Sequence, residues 1–196
     1  MIGYFQSQSK EDPHMKHEQI YQLSLAGLLT GLILTSTIMF RIPMPFTNGY
    51  VHLGDTMIFL AVLVLGKKYG CLAAGIGSAL ADLLAGYTHY VPWTFAIKAL
   101  MALMIGIALE HFAKNSSFSN HSVKARLLEA VALIPAGLEM IVGYYVAASI
   151  MRGNWVTPLL SVPGNIAQYI VGAAVAAILA AALQQTSARR YFAIHM

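Results

Sequence analysis

Along this chain the charged residues fall almost entirely between long apolar runs, while a few ionisable and amide side chains sit inside those runs near one end. That arrangement constrains the fold more than any other feature. Six apolar stretches are legible, about Ile20–Phe40, Thr56–Leu65, Cys71–Leu84, Pro92–Phe112, Leu127–Ile150 and Pro158–Leu183. About 20 helical residues cross the roughly 30 Å hydrocarbon core, so the first, fourth, fifth and sixth are long enough alone. The second and third reach useful length when Leu53–Gly66 and Lys68–Gly86 are counted with their small and polar ends. Backbone groups in lipid must be satisfied within the segment, which makes these stretches helices. A transmembrane barrel is excluded because apolar residues do not alternate with period two. The expected fold is an all-α membrane protein of six transmembrane helices with both termini cytoplasmic.

Composition agrees: 58% of the residues are hydrophobic and 10% charged, against roughly 25% charged in soluble domains. The single cysteine, Cys71, lies in an apolar segment and reads as a small buried hydrophobe, with no intramolecular disulfide possible. A formal net charge of +4 would suit a nucleic-acid partner, but its distribution follows membrane topology. With the N-terminus inside, Lys10, Lys16, Lys67, Lys68, Lys114, Lys124, Arg126, Arg189 and Arg190 are cytoplasmic, and only Arg41 and Arg152 fall in outer loops. The positive-inside rule then fixes the orientation, and no nucleic-acid partner is expected. No cleavable signal peptide is expected, since the first apolar run is too long for a signal h-region. Residues 1–18 read as a cytoplasmic tail whose His14 and His17 are solvated, 19–185 as one membrane domain, and 186–196 as a C-terminal tail. Arg41–His52, Tyr87–Val91 and Met151–Thr157 are the outer connections. The first of these carries two prolines and an Asn-Gly turn signal, and reads either as a shaped lid or as a loop resting on headgroups.

Ionisable residues within the apolar segments carry the functional argument, because each costs roughly 2.5–3.5 kcal/mol at a helix centre and therefore faces a cavity or a partner. Asp55 opens the second helix, Asp82 lies near the outer end of the third, Lys98 is about two turns into the fourth, and Glu139 is near the middle of the fifth. At 1.5 Å per residue the first three lie within roughly 10 Å of the outer surface. Asn165 and Gln168 share a face of the sixth helix at similar depth, and Tyr87, Tyr90, Trp93, Tyr144, Tyr145 and Trp155 surround the same half. Carboxylate, amine, amide and aromatic groups together would hold a flat, polar small molecule. Alternatively Asp82 or Asp55 pairs with Lys98 and ties the bundle together, and the aromatic residues form an interface belt.

Other chemistries lack their signatures. No Gly-x-x-x-x-Gly-Lys-Ser/Thr loop occurs, no nucleophile–base motif is present, and the histidines lack zinc-ligand spacing, so neither an enzyme nor a metal site is expected. No inverted repeat of the kind that builds alternating access is evident. The first helix carries Gly27-x-x-x-Gly31 with Ser24 and Thr35 in register, a smooth face suited to internal packing or to docking.

Several motifs occur in order: Asn48-Gly49-Tyr50-Val51-His52-Leu53-Gly54-Asp55, Leu65-Gly66-Lys67-Lys68-Tyr69-Gly70, the run from Gly75 to Tyr87, and Thr94-Phe95-Ala96-Ile97-Lys98. With the six helices they make residues 19–185 resemble the S components of energy-coupling factor (ECF) vitamin transporters, and most closely the hydroxymethylpyrimidine type, a group also linked to vitamin B6 compounds. The resemblance implies a multi-pass subunit of the bacterial cell membrane that captures a vitamin precursor from outside. It implies docking on a transmembrane coupling subunit (EcfT-type) driven by two cytoplasmic ABC-type ATPases, with delivery by toppling in the membrane. ATP and Mg would belong to those ATPases, and this chain would hold no cofactor. The family's docking pattern is alanine at four-residue spacing, where this chain offers Gly27 and Gly31 or Ala26 and Thr30. The expected ligand site comprises Glu139 or Asp82 on an amino or ring-nitrogen edge, Asn165 and Gln168 on another polar edge, and Trp93 or Tyr87 stacked on the ring. Lys98 stands beside them, with His52 and Asn48 closing from the lid. Hydroxymethylpyrimidine is the first expected ligand and pyridoxine or pyridoxamine the next. The competing classes are a membrane-embedded structural or assembly protein and a stand-alone facilitator.

Overall fold

A computed structural model of the chain describes residues 13–44, 49–114 and 123–192. Helix α1 (Pro13–Met39) leads into a β-hairpin of β1 (Arg41–Met44) and β2 (Gly49–His52), followed by α2 (Gly54–Leu84), α3 (Val91–Lys114), α4 (Val123–Arg152) and α5 (Val162–Gln184). Among the described residues, five helices are long and apolar enough to cross a membrane. The first begins earlier than its apolar run because Pro13, whose missing amide is no loss at a helix start, opens it six residues before Gln19.

The second helix, α2, is two arms folded on each other. Gly66 interrupts it with φ 70° and ψ −178°, a backbone that residues with a Cβ rarely adopt. Beyond the turn, Gly70 packs so tightly on the first arm that a Cβ there would stand 2.9 Å from Val62 Cα. Residues eight apart in a continuous helix would be about 12 Å apart at 1.5 Å per residue, so the arms run antiparallel. The second and third apolar stretches of the sequence are these arms, and the Gly-Lys-Lys turn joins them. Tyr21 near the start of α1 stacks on Tyr191 after α5, with ring centroids 6.5 Å apart, which brings the two ends of the described chain to the same end of the bundle.

Small residues allow these helices to meet. A Cβ at Gly77 would lie 2.9 Å from the Thr30 carbonyl oxygen on α1, and one at Gly172 on α5 would lie 2.8 Å from Asp55 Cβ on α2. The first arm of α2 is central: Ile58, Ala61 and Val62 are fully buried, with Ile33, Met101, Ile105 and Met140 against them from α1, α3 and α4. Residues such as Leu28, Leu84, Ile107, Ile170 and Ile178 point outward, as a lipid-facing surface requires.

The first connection between helices is ordered on both its limbs. Arg41 pairs with His52, Ile42 with Val51, Pro43 with Tyr50 and Met44 with Gly49 in antiparallel register. Side chains alternate along a strand, so Tyr50 and His52 share a face, and their rings lie 5.5 Å apart. Residues 45–48, including Asn48, lie outside the described residues. At the chain's other end the segment expected as a tail forms a 3-10 turn (Ser187–Tyr191) whose successor Phe192 is buried in the core.

Candidate functional site

At the hairpin end of the bundle two polar assemblies lie side by side. The first is built on a buried ion pair. Lys98 Nζ on α3 is 2.6 Å from Asp55 Oδ1 in the first turn of α2, and both side chains are completely buried. Gln168 Nε2 on α5 donates to Asp55 Oδ2 at 2.9 Å, while Gln168 Oε1 accepts from the His52 amide at 3.1 Å. Lys98 also meets Met140 Sδ at 3.0 Å and lies 5.4 Å from the centre of the Tyr144 ring. Each oxygen of Asp55 therefore has a donor, as a buried charge requires, and the chain β2–Gln168–Asp55–Lys98 ties the hairpin to three helices. The His52 ring adds a local clamp, Nδ1 accepting from the Gly54 amide at 3.0 Å. Burial pushes the His52 imidazole down to about pKa 4, the Lys98 charge also lowering it and Asp55 partly opposing, so the ring is neutral at physiological pH.

The second assembly surrounds a cleft. Tyr50, His52, Tyr87 and Tyr90 contribute from the hairpin and the loop after α2, Asp82 from the end of α2, Tyr144, Ala148 and Arg152 from α4, Pro158 and Ser161 from the 3-10 turn Thr157–Ser161, and Asn165 and Gln168 from the first turns of α5. Asp82 is 6% exposed, and its Oδ1 accepts from the Tyr50 hydroxyl at 2.5 Å. Thr94 adds a second hydrogen bond to the same carboxylate. Tyr50 also packs on Tyr87 at 4.9 Å between centroids and lies under the Arg41 guanidinium at 5.8 Å. Burial, reinforced by the adjacent Asp82 carboxylate, raises the Tyr50 phenol and keeps it a proton donor. Burial likewise raises Tyr90, with Arg152, which hydrogen-bonds it, acting in the opposite direction. The arrangement offers aromatic walls, one carboxylate, one guanidinium and two primary amides, suited to a small flat molecule with polar edges.

Of the residues singled out in the sequence, the structure brings His52, Asp82, Tyr87, Asn165 and Gln168 to this cleft. Trp93, Lys98 and Glu139 do not line it. Trp93 is half-buried against the hydrophobic core at the start of α3, and Lys98 is consumed by Asp55. Glu139 is half-buried on α4, where its Oε2 has no hydrogen-bond partner among the described residues. Met140, its neighbour, is the α4 side chain that turns to Lys98. Tyr50 and Arg152 were not expected in the site. Both had a signal: Tyr50 is two residues from His52 on one strand and so shares its face, and Arg152 is one of only two basic residues on the side the charge distribution assigns as outer. On α1, a Cβ at Gly27 or Gly31 would meet nothing within 4 Å, whereas Ala26 is buried. The Gly27/Gly31 row is thus an open face, and Ala26 packs internally.

A family model described as the S component of the ECF-type riboflavin transporter matches residues 17–185. An uncharacterized protein of Pyrococcus woesei is 33% identical over 121 residues, 62% of this chain and 74% of that protein. The thiamine precursor transporter HmpT of Lactococcus lactis is 25% identical over 173 residues, 88% of this chain and 93% of that protein. Two solved structures share the fold: an S component of a bacterial ECF transporter, with TM-score 0.63 and 19% identity over 85% of this chain and 97% of that one, and an S component for biotin, with TM-score 0.61 and 18% identity over 90% and 97%. The chain therefore belongs to the ECF-type S components, membrane-embedded substrate-binding subunits of vitamin transporters rather than enzymes.

Proposed function

We propose that this subunit captures hydroxymethylpyrimidine, with pyridoxine or pyridoxamine next in preference, in the cleft beneath the hairpin. The observation that carries this reading is Asp82, a nearly buried acceptor with no ion-pair partner among the described residues, set among tyrosine rings and beside two amides. An aminopyrimidine presents N–H donors to such a carboxylate and a ring face to Tyr87, while Asn165 and Gln168 satisfy its remaining polar edge. Transport of a thiamine precursor by the HmpT relative supports the same ligand class.

In this reading the chain crosses the membrane six times with both termini cytoplasmic and the hairpin end outside. The reversal at Gly66 and the Tyr21–Tyr191 contact support an even number of crossings, and the two lysines beside Gly66 support the orientation. The open Gly27/Gly31 face docks on an EcfT-type coupling subunit, two ABC-type ATPases with ATP and Mg supply the work, and toppling carries the filled cleft inward. The hairpin, held by Tyr50–Asp82 and His52–Gln168, is the lid. Reconstitution in proteoliposomes tests the assignment. Uptake of labelled hydroxymethylpyrimidine should require the coupling subunit, the ATPases and ATP. Uptake by this chain alone would identify a facilitator, and none in any combination would favour a structural role.

A further inference from the structure

Asp82 and Arg152 are opposite charges lining one cleft, yet neither belongs to an ion pair among the described residues. Asp82 is nine-tenths buried and satisfied only by the neutral hydroxyls of Tyr50 and Thr94. Arg152, the last residue of α4, is half-buried and bonded to the neutral Tyr90 hydroxyl. Tyr90 lines the same cleft and feels both charges. By contrast, the neighbouring Lys98 and Asp55 are in direct contact. Keeping a carboxylate and a guanidinium apart in a low-dielectric cleft is costly unless something bridges them, because their attraction is strongest where water is least.

We infer that the ligand is that bridge: Asp82 accepts from its N–H edge while the Arg152 guanidinium donates to an oxygen substituent elsewhere on the ring. This rests on the reading of the cleft as the vitamin site and adds a specificity residue, Arg152, together with a ligand class. That class is a flat heteroaromatic bearing an N–H donor edge and a separate hydroxyl or hydroxymethyl oxygen. A guanidinium is suited to the second task because its forked donors cannot be neutralised and cannot accept, so an oxygen-free methyl in the same place leaves them unpaired. The remaining cation near the hairpin, Arg41, sits over the Tyr50 ring and does not line the cleft.

The test is calorimetric titration of the full-length protein in detergent with two ligands, hydroxymethylpyrimidine and its deoxy analogue, in which methyl replaces hydroxymethyl. The wild type should prefer the hydroxymethyl ligand by about tenfold, the low end of the penalty for an unpaired donor because Arg152 is only half-buried. Arg152→Gln should abolish that preference, so that the two ligands bind with the same affinity. Arg152→Lys should retain an intermediate preference, and Asp82→Asn should weaken both ligands by a common factor. Equal wild-type affinity for the two overturns the inference without any variant. So does an Arg152→Gln variant that loses both ligands equally, the result expected if Arg152 only holds Tyr90. Failure of the wild type to bind either would instead overturn the vitamin reading itself, and this inference with it.

Discussion

The substitution Lys98→Met isolates the part of this site that is structural. Lys98 Nζ stands 2.6 Å from Asp55 Oδ1 with both side chains fully buried, so the change leaves a carboxylate in the interior with Gln168 as its remaining side-chain donor. Breaking one side of a buried pair costs about 3–5 kcal/mol, most of it the uncompensated charge. Adding Asp55→Asn removes that charge and keeps an oxygen for Gln168 Nε2, so the double variant should lose only about 1–2 kcal/mol, the scale of ordinary hydrogen-bond and packing differences. The double variant should therefore be more stable than Lys98→Met alone by about 2–3 kcal/mol, a coupling well above additivity error. Thermal unfolding in detergent micelles reads this directly, with a midpoint drop on the order of 10 °C for the single variant and recovery of more than half in the double. Vitamin affinity of the double variant should stay within a factor of about ten of the wild type, because neither residue lines the cleft. A double variant no more stable than Lys98→Met would refute the pairing argument, and one that is stable but does not bind would return Lys98 to the ligand site.

Three further outcomes follow from the same geometry. Asn165→Ala should weaken vitamin binding by about 1–3 kcal/mol, the cost of an unpaired polar partner, whereas Glu139→Gln, away from the cleft lining, should leave it unchanged; titration of both variants separates a residue that lines the cleft from one that does not. Gly27→Leu or Gly31→Leu places a side chain in open space, so binding should persist while coupled uptake in proteoliposomes is abolished, and loss of binding would mean the face packs internally. His52 has its pKa lowered from 6.5 to about 4, so the unfolded state binds the extra proton first. Its contribution is full above pH 6.5, declines as pH falls toward 4, and amounts to about 2 kcal/mol after allowance for partial exposure. The acid-side fall in thermal midpoint should flatten in His52→Gln, and an unchanged slope would remove His52 from the hairpin clamp.

Much of the bundle was legible because lipid enforces it: apolar length fixed the helices, and Gly66-Lys67-Lys68 marked the reversal that the positive φ at Gly66 carries out. The polar residues near the hairpin were legible in depth but not in azimuth. Asp55, Asp82 and Lys98 share a depth in the sequence, yet Asp55 meets Lys98 while Asp82 turns to Tyr50. In a membrane helix lipid-facing and core-facing residues are both apolar, so no amphipathic stripe tells which way a polar residue points. Glu139 lies on the same helix as Tyr144 and Arg152, yet it does not line the cleft. The hairpin was hidden because two four-residue strands flanking a proline-containing connection carry too little pattern to read. The clamp of Gln168 between His52 and Asp55 joins residues more than a hundred positions apart, which no local rule supplies.

Calorimetric titration of the purified, detergent-solubilised protein with hydroxymethylpyrimidine, pyridoxine, pyridoxamine, thiamin and riboflavin decides whether the cleft under the hairpin is a vitamin site. Hydroxymethylpyrimidine should bind saturably and tightly, and Asp82→Asn should weaken that binding. Absence of binding to all five by a folded sample, or binding indifferent to Asp82, would contradict the vitamin-site reading.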